Sequence, residues 1–343
     1  IARGVDALGV DELEVGIPAM GPQIRSQLRR IARLGLSARL TVWCRAHRAD
    51  LAAAGRCGID GVHISWPASD LQQAVIGKER KGVLAEIPRL VGLAKQQFER
   101  VSVGLADVSR ADPHYLQAAA KRVAAAGAHR LRLADTVGVA LPDQVDRLIR
   151  SVTAVVPDLP IEFHGHNDLG LATANTLAAA AAGAEAVSVT VNGLGERAGN
   201  APLEQVVMAV AQHPYFFTGA DPAGLVALSQ LVASAAGRPL GTDQPIVGEG
   251  TVTHESGIHC HGLLKDSRTY EPFPPERVGH AGRQLVAGPH SGSALLRHRF
   301  RQCGLPLSRR QARRLLPEMQ AEARQRGGSL DDEALVALYQ AAG

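Results

Sequence analysis

Aromatic residues make up only 3% of this 343-residue chain, and its four cysteines, Cys44, Cys57, Cys260 and Cys303, form no C-x-x-C pair. That cysteine usage excludes a disulfide framework or a cysteine zinc ribbon, and the expected setting is a reducing, cytoplasmic one. No run approaches the roughly 18 apolar residues of a membrane-spanning helix, and no basic-then-apolar leader pattern is present. An excess of one charge is missing too: 37 Lys and Arg face 33 Asp and Glu, a formal net charge of +4. With 45% hydrophobic residues, so small a charge excludes a disordered chain. The arginines of the C-terminal stretch are interleaved with Glu318, Glu322, Asp331, Asp332 and Glu333. They read as a solvated helix face, and few aromatics remain to stack on bases. Neither nucleic acid nor a membrane is therefore an expected partner. No G-x-G-x-x-G follows an early strand, which leaves a dinucleotide-binding open sheet without support.

What is present is alternation. Strand candidates Glu12–Val15, Ala38–Trp43, Gly61–Ser65, Val101–Gly104, Arg130–Ala134, Ile161–His164 and Ala186–Val191 are separated by amphipathic segments such as Pro22–Leu34, Asp112–Ala126, Leu141–Val155 and Leu169–Ala182. Asp112-Pro113 is a helix-start signal, and Gly35, Gly127 and Gly183 end helices shortly before strands. Repeated βα units imply a parallel sheet. Polar residues gather just beyond the strand ends, at Cys44-Arg45, Asp107, Asp135-Thr136, His166-Asn167-Asp168 and Asn192-Gly193. An α/β TIM (β/α)8 barrel places its active site there. Seven strands are visible where the barrel needs eight, and the helix Ile1–Leu8 has no strand before it, so the expectation is a barrel lacking its first strand in this chain. The pattern predicts a barrel over 1–213, a linker helix and accessory subdomain over 214–292, and a helical subdomain over 293–343. Helix is expected around Gly224–Ala236, little periodicity over Gly237–Gly292, and helix again over Leu295–Ala342.

Three stretches carry chemistry. In Ile161–Asp168, His164 and His166 stand two apart on a strand and so share a face. At a barrel mouth that face is the interior, where two imidazoles make half of a divalent-metal site; the alternative is a pair of core histidines. Glycines in Thr190–Asn200 let backbone approach a ligand, and the asparagines offer neutral oxygens to a hard cation. Gly248–His261 concentrates histidines and carboxylates in irregular chain, suited to proton transfer near neutral pH, although loop histidines are also common on surfaces.

Glu12–Gly21, Ala134–Gly138, His164–Gly170 and Asn192–Asn200 together resemble the α-isopropylmalate/homocitrate synthase family, and within it the homocitrate synthases of the nitrogen-fixation type. Thr253–His259, Gly262–Asp266 and Arg268–Phe273 extend the resemblance, which runs from Ile1 to about Phe300. It implies a metal-dependent acyltransferase that condenses acetyl-CoA with a 2-oxo acid and hydrolyses the thioester. It also implies His164, His166 and Asn200 as metal ligands, Thr136 as the residue binding the substrate carboxylate, and Glu14 facing the pocket. His259 and Tyr270 resemble the acid/base residues of the accessory region, which in this family reaches into the neighbouring subunit of a homodimer. The metal is left open among Mn2+, Mg2+ and Zn2+.

With 2-oxoglutarate as the oxo acid the product is homocitrate, the organic ligand of the nitrogenase iron–molybdenum cofactor. The alternatives are 2-isopropylmalate or citramalate synthesis, or a non-catalytic paralogue or fragment that binds metal and oxo acid. Isopropylmalate enzymes usually carry a further C-terminal domain, which tilts the expectation towards homocitrate. Departures from the family pattern are the Arg-Asp pair of the first strand, absent here, and Ala106 where the family has a Glu. Cys260-His261-Gly262 and Gly288-Pro289-His290 also differ from it. Without the first strand's metal ligand, the 343 residues by themselves are expected to be inactive.

Overall fold

The computed structural model describes residues 1–341. By contacts it divides into a unit of Ile1–Asp221 with Leu231–Gly237, and a second of Pro222–Gln230 with the residues from Arg238 onward. In the first, seven strands run parallel in chain order: β1 (Glu12–Glu14), β2 (Arg39–Arg45), β3 (Gly61–Pro67), β4 (Arg100–Ala106), β5 (Arg130–Asp135), β6 (Ile161–Gly165) and β7 (Ala186–Ser188). They curl into a TIM-barrel-like half-barrel, with helices in the connections. The seven strands lie where the alternation predicts them, although β1 stops one residue early at Glu14 and β7 three residues early. β7 ends at Ser188, short of the expected Val191, because Val191–Gly193 forms a 3-10 turn with Asn192 in the left-handed region at φ 59°.

Strand register sorts the side chains onto two faces, since direction alternates every residue. One face carries Leu13, Val42, Ile64, Trp66, Val103, Leu105, Leu133 and Phe163, all buried in one apolar cluster with helix residues such as Leu51, Ile87, Leu116 and Ile149. Burying each such side chain contributes about 1.5–3 kcal/mol. The helices are shaped to match: Asp112 caps Pro113–Ala125 through Tyr115 N, and Ser69 caps Asp70–Val75 through Gln72 N. The other face is polar. It brings Glu14, Thr41 and Gly61 into one row, His63 beside Ser102 and Arg130, and His164 beside Ala134 and Ser188.

Charges on that inner face are paired. Arg130 bridges Glu12 at 2.8 Å and Glu162 at 2.7 Å. Arg132 bridges Glu14 at 2.8 Å and Glu162 at 2.9 Å. Arg132 and Glu162 are buried, so each needs the other: a charge left unpaired in such surroundings costs several kcal/mol.

The second unit has a separate core. Helices Ser293–Gln302, Arg309–Arg326 and Asp332–Ala341 pack Leu295, Phe300, Leu315, Met319 and Leu335 together. Ser308 and Gln311 form a reciprocal cap at the start of the long helix, and Gly327, left-handed at φ 69°, ends it. The expected helical end is thus three helices, and Ala342 lies outside the described residues. The stretch 237–292 is mostly short turns, with a helix at Gly257–Leu263 and two-residue parallel strands β8 (Thr253–His254) and β9 (Gln284–Leu285). Among the described residues no helix is long and apolar enough to cross a membrane.

Replacing Arg132 by Met strips Glu14 of its bridge and Glu162 of one of two. Urea unfolding is expected to show a loss of about 3 kcal/mol; a loss within experimental error would mean the network carries no stability.

Candidate active site

The strand ends after β5, β6 and β7 place the candidate residues. At the end of β6, His164 and His166 turn their Nε2 atoms towards one another, 3.3 Å apart, with rings edge-on at 89°. His164 Nδ1 is hydrogen-bonded with Ser188 Oγ at 3.1 Å, and His166 Nδ1 accepts from Arg197 Nη2 at 3.2 Å. Desolvation, helped by the Arg132 charge, pushes His164 down to about 3, and desolvation with Arg197 lowers His166. Both rings are neutral at pH 7, the form that donates a lone pair to a metal.

Asn200 is brought to this pair by backbone. It bridges His166 in antiparallel fashion, and its N–H donates to Gly193 O at 2.9 Å. Its Nδ2 donates to Leu194 O at 3.0 Å, while Oδ1 is buried without a hydrogen-bond partner. A buried acceptor without a partner is costly. Two convergent imidazole nitrogens and an unpaired amide oxygen are donors of the type a divalent cation takes. Among the described residues no group of three or more His, Cys, Asp or Glu could hold a metal ion, so the set here depends on the amide. The loop is glycine-packed because nothing else fits: a Cβ on Gly199, itself at φ 90°, would collide with Gly193 O, and one on Gly195 would stand 2.5 Å from Asn200 Nδ2.

Thr136 follows β5. Its Oγ1 accepts from Asp107 N at 2.8 Å, which leaves the hydroxyl hydrogen free to donate elsewhere, with Ala134 O only a distant 3.4 Å acceptor. Asp107 is fully buried and left-handed at φ 63°. Ser69 Oγ donates to its carboxylate at 2.5 Å, and Arg110 grips both oxygens. Those contacts hold a backbone conformation that costs a non-glycine residue on the order of 1 kcal/mol. They also settle the place of Asp107: its carboxylate is occupied, so it supplies no free base next to Ala106. Glu14 lies on the inner face, with its carboxylate engaged by Arg132.

His259 and Tyr270 lie in the second unit. Their rings stack at 4.0 Å with planes 25° apart, and His254 is 6.5 Å from His259. Gly262 makes the stack possible, since a Cβ there would meet the Tyr270 ring at 2.7 Å. The nearby loop is fixed by Glu255, which accepts from His290 N at 2.7 Å.

Residue-type reasoning overlooks His63. It is 1% exposed on the inner face, hydrogen-bonded to Ser102 Oγ at 3.0 Å, and its Nε2 occupies the place a Cβ on Gly104 would take. The pairing of His63 with a glycine 41 positions later leaves no local signal. Desolvation, then Arg132, Arg130 and His164, holds His63 well below its usual pKa. The folded state therefore binds fewer protons than the unfolded one below pH ~6.5. Stability from the neutral ring is complete above that pH and is lost as pH falls. Replacing His63 by Gln is expected to flatten the fall in unfolding free energy between pH 6.5 and 5, by up to about 1.4 kcal/mol per pH unit. Identical slopes in the two proteins would refute the buried neutral ring.

Comparison with known proteins finds relatives along nearly the whole chain. The HMGL-like family model matches residues 1–232, and one described as homocitrate synthase post-HMGL domain-like matches residues 246–327. The 2-isopropylmalate synthase 2 of Caldanaerobacter subterraneus subsp. tengcongensis is 43% identical over 341 residues, 99% of this chain and 88% of that protein. The homocitrate synthase of Frankia alni is 44% identical over 309 residues, 89% and 86% of the two chains. Homocitrate synthase 1 of Nostoc sp. is 42% identical over 343 residues, 98% and 89%. Among solved structures, hydroxymethylglutaryl-CoA lyase from Pseudomonas aeruginosa superposes with a TM-score of 0.61 at 25% identity, over 69% of this chain and 84% of that one.

Proposed function

Because the chain belongs to the HMGL-like family and carries a homocitrate synthase-type region behind it, we propose that it condenses acetyl-CoA with 2-oxoglutarate to give homocitrate. The family assignment supports an enzyme of the acyltransferase class; 2-oxoglutarate as acceptor, and nitrogenase cofactor supply as its purpose, are our reading. The observation that carries it is the convergence of His164 Nε2 and His166 Nε2, with His166 bridged through the backbone to Asn200, whose buried Oδ1 has no hydrogen-bond partner. These three residues would hold a divalent cation, Mn2+, Mg2+ or Zn2+, which when bound polarises the keto oxygen of the acceptor.

The chain's own groups do the rest. Thr136, with its oxygen already accepting from Asp107 N, donates its hydroxyl hydrogen to the acceptor's carboxylate. Arg132 and Arg130 offset the carboxylates of Glu12, Glu14 and Glu162 on the inner face beneath the site. His259 and Tyr270, stacked face to face, are the proton-transfer pair for the acetyl methyl and the new hydroxyl, and act in the neighbouring subunit of a homodimer. Ala106 favours a second reading, a barrel that binds cation and oxo acid without turnover, since no carboxylate ends β4 on the inner face and that of Asp107 is engaged.

Thiol release from acetyl-CoA, measured on the full encoded chain with Mn2+ or Mg2+, decides between them. The highest kcat/KM is expected with 2-oxoglutarate, ahead of 2-oxoisovalerate and pyruvate. Another acceptor leading would replace 2-oxoglutarate, and calorimetric binding without thiol release would establish the binding-only reading. Ala106→Glu is expected to raise kcat on the order of 100-fold, the usual contribution of a positioned general base; an unchanged rate would remove that role from the end of β4.

A further inference from the structure

Asp168 and Arg197 have no part in the reading above, yet they tie together the segments after β5, β6 and β7. The Asp168 carboxylate lies 2.5 Å from where a Cβ on Gly138 would stand, so it is the glycine that admits it. Arg197 grips it with two bonds, Nε to Oδ1 at 2.7 Å and Nη2 to Oδ2 at 2.8 Å. With one Nη2 hydrogen on Asp168, the other is shared between Thr136 O at 2.8 Å and the longer contact to His166 Nδ1 at 3.2 Å. Arg197 does this from a left-handed backbone at φ 52°, a conformation rare for an L residue and found where surrounding contacts over-determine it.

The hydrogen count at His166 follows from donor chemistry. A guanidinium has only donors and keeps its proton in proteins, so His166 Nδ1 is the acceptor. A neutral imidazole carries one hydrogen, which in His166 then sits on Nε2 and points at His164 Nε2, 3.3 Å away. His164 in turn carries its hydrogen on Nδ1 and donates it to Ser188 Oγ. In that state one of the two Nε2 lone pairs does not exist.

We propose that Arg197 is a positioning residue that latches the histidine pair: it holds His166 in the Nε2–H tautomer, and must release Nδ1 before a divalent cation can be held by both Nε2 atoms. The inference rests on the reading of His164 and His166 as cation ligands. No proton is lost in the exchange, because His166 gives up a hydrogen at Nε2 and takes one at Nδ1. Arg197 keeps Asp168 as its partner throughout, and its side chain, 46% exposed, has solvent to move into. The latch makes cation uptake compete with the closed arrangement of the three loops.

The test is long-range 15N–1H correlation on metal-stripped protein labelled at histidine, with the His166 signal identified by its loss in His166→Asn. Wild type is expected to show His166 protonated at Nε2, and Arg197→Met to shift it towards Nδ1–H. Titration with Mg2+ or Zn2+ alone is expected to convert wild type to Nδ1–H, with about tenfold tighter binding by Arg197→Met. His166 already protonated at Nδ1 in the metal-stripped wild type would overturn the proposal, and that result needs no variant to fold. The same tautomer and affinity in wild type and Arg197→Met would overturn it as well. The expected tautomer shift in Arg197→Met without binding of either cation by either protein would support the hold of Arg197 on His166, and the cation-site reading alone would fail.

Discussion

Side-chain direction in a strand reverses at every residue, and in this molecule that period of two separates oil from charge. From β2 to β6 the odd-and-even split never slips: Val42, Ile64, Val103, Leu133 and Phe163 go outward beneath helices, while Thr41, His63, Ser102, Arg132 and His164 go inward. A slip of one residue in β5, for example, would bury Arg132 under a helix and turn Leu133 into the polar interior. The register is therefore pinned from both sides at once, by apolar burial and by the cost of an unpaired buried charge.

The same ion network that satisfies the interior also conditions the candidate site. Two guanidiniums lie among three carboxylates on the inner face, close enough for Arg132 to disfavour the charged forms of both His63 and His164. A neutral imidazole always keeps one ring nitrogen with a lone pair, so the network that cancels buried charge also prepares the chemistry above it. The glycine loop adds the third donor by a different route: backbone packing of Gly193, Gly195 and Gly199 holds Asn200 where its amide is tied by one end only.

How much of this was legible in the sequence depends on the range of the interaction. Strand alternation and helix caps act over a few residues, so the seven strands and starts such as Asp112-Pro113 could be read directly. The His164–His166 pair is equally local, and its convergence is what a spacing of two demands. The engagement of Glu14 by Arg132 could not be read, because it joins positions far apart in the chain whose only link is sheet register. The place of His63 opposite Gly104 and the reach of Arg197 from one loop to Asp168 on another are hidden for the same reason. The early end of β7 turns on Asn192, whose tolerance of a left-handed backbone does not show in a β-branched run ending in Val191.

The two outermost strands of the sheet, β1 and β7, have three residues each, and β1 alternates glutamate, leucine, glutamate. The two glutamates of β1 turn inward to Arg130 and Arg132, so this short strand is tied across the inner face by ion pairs as well as to β2 by its ladder.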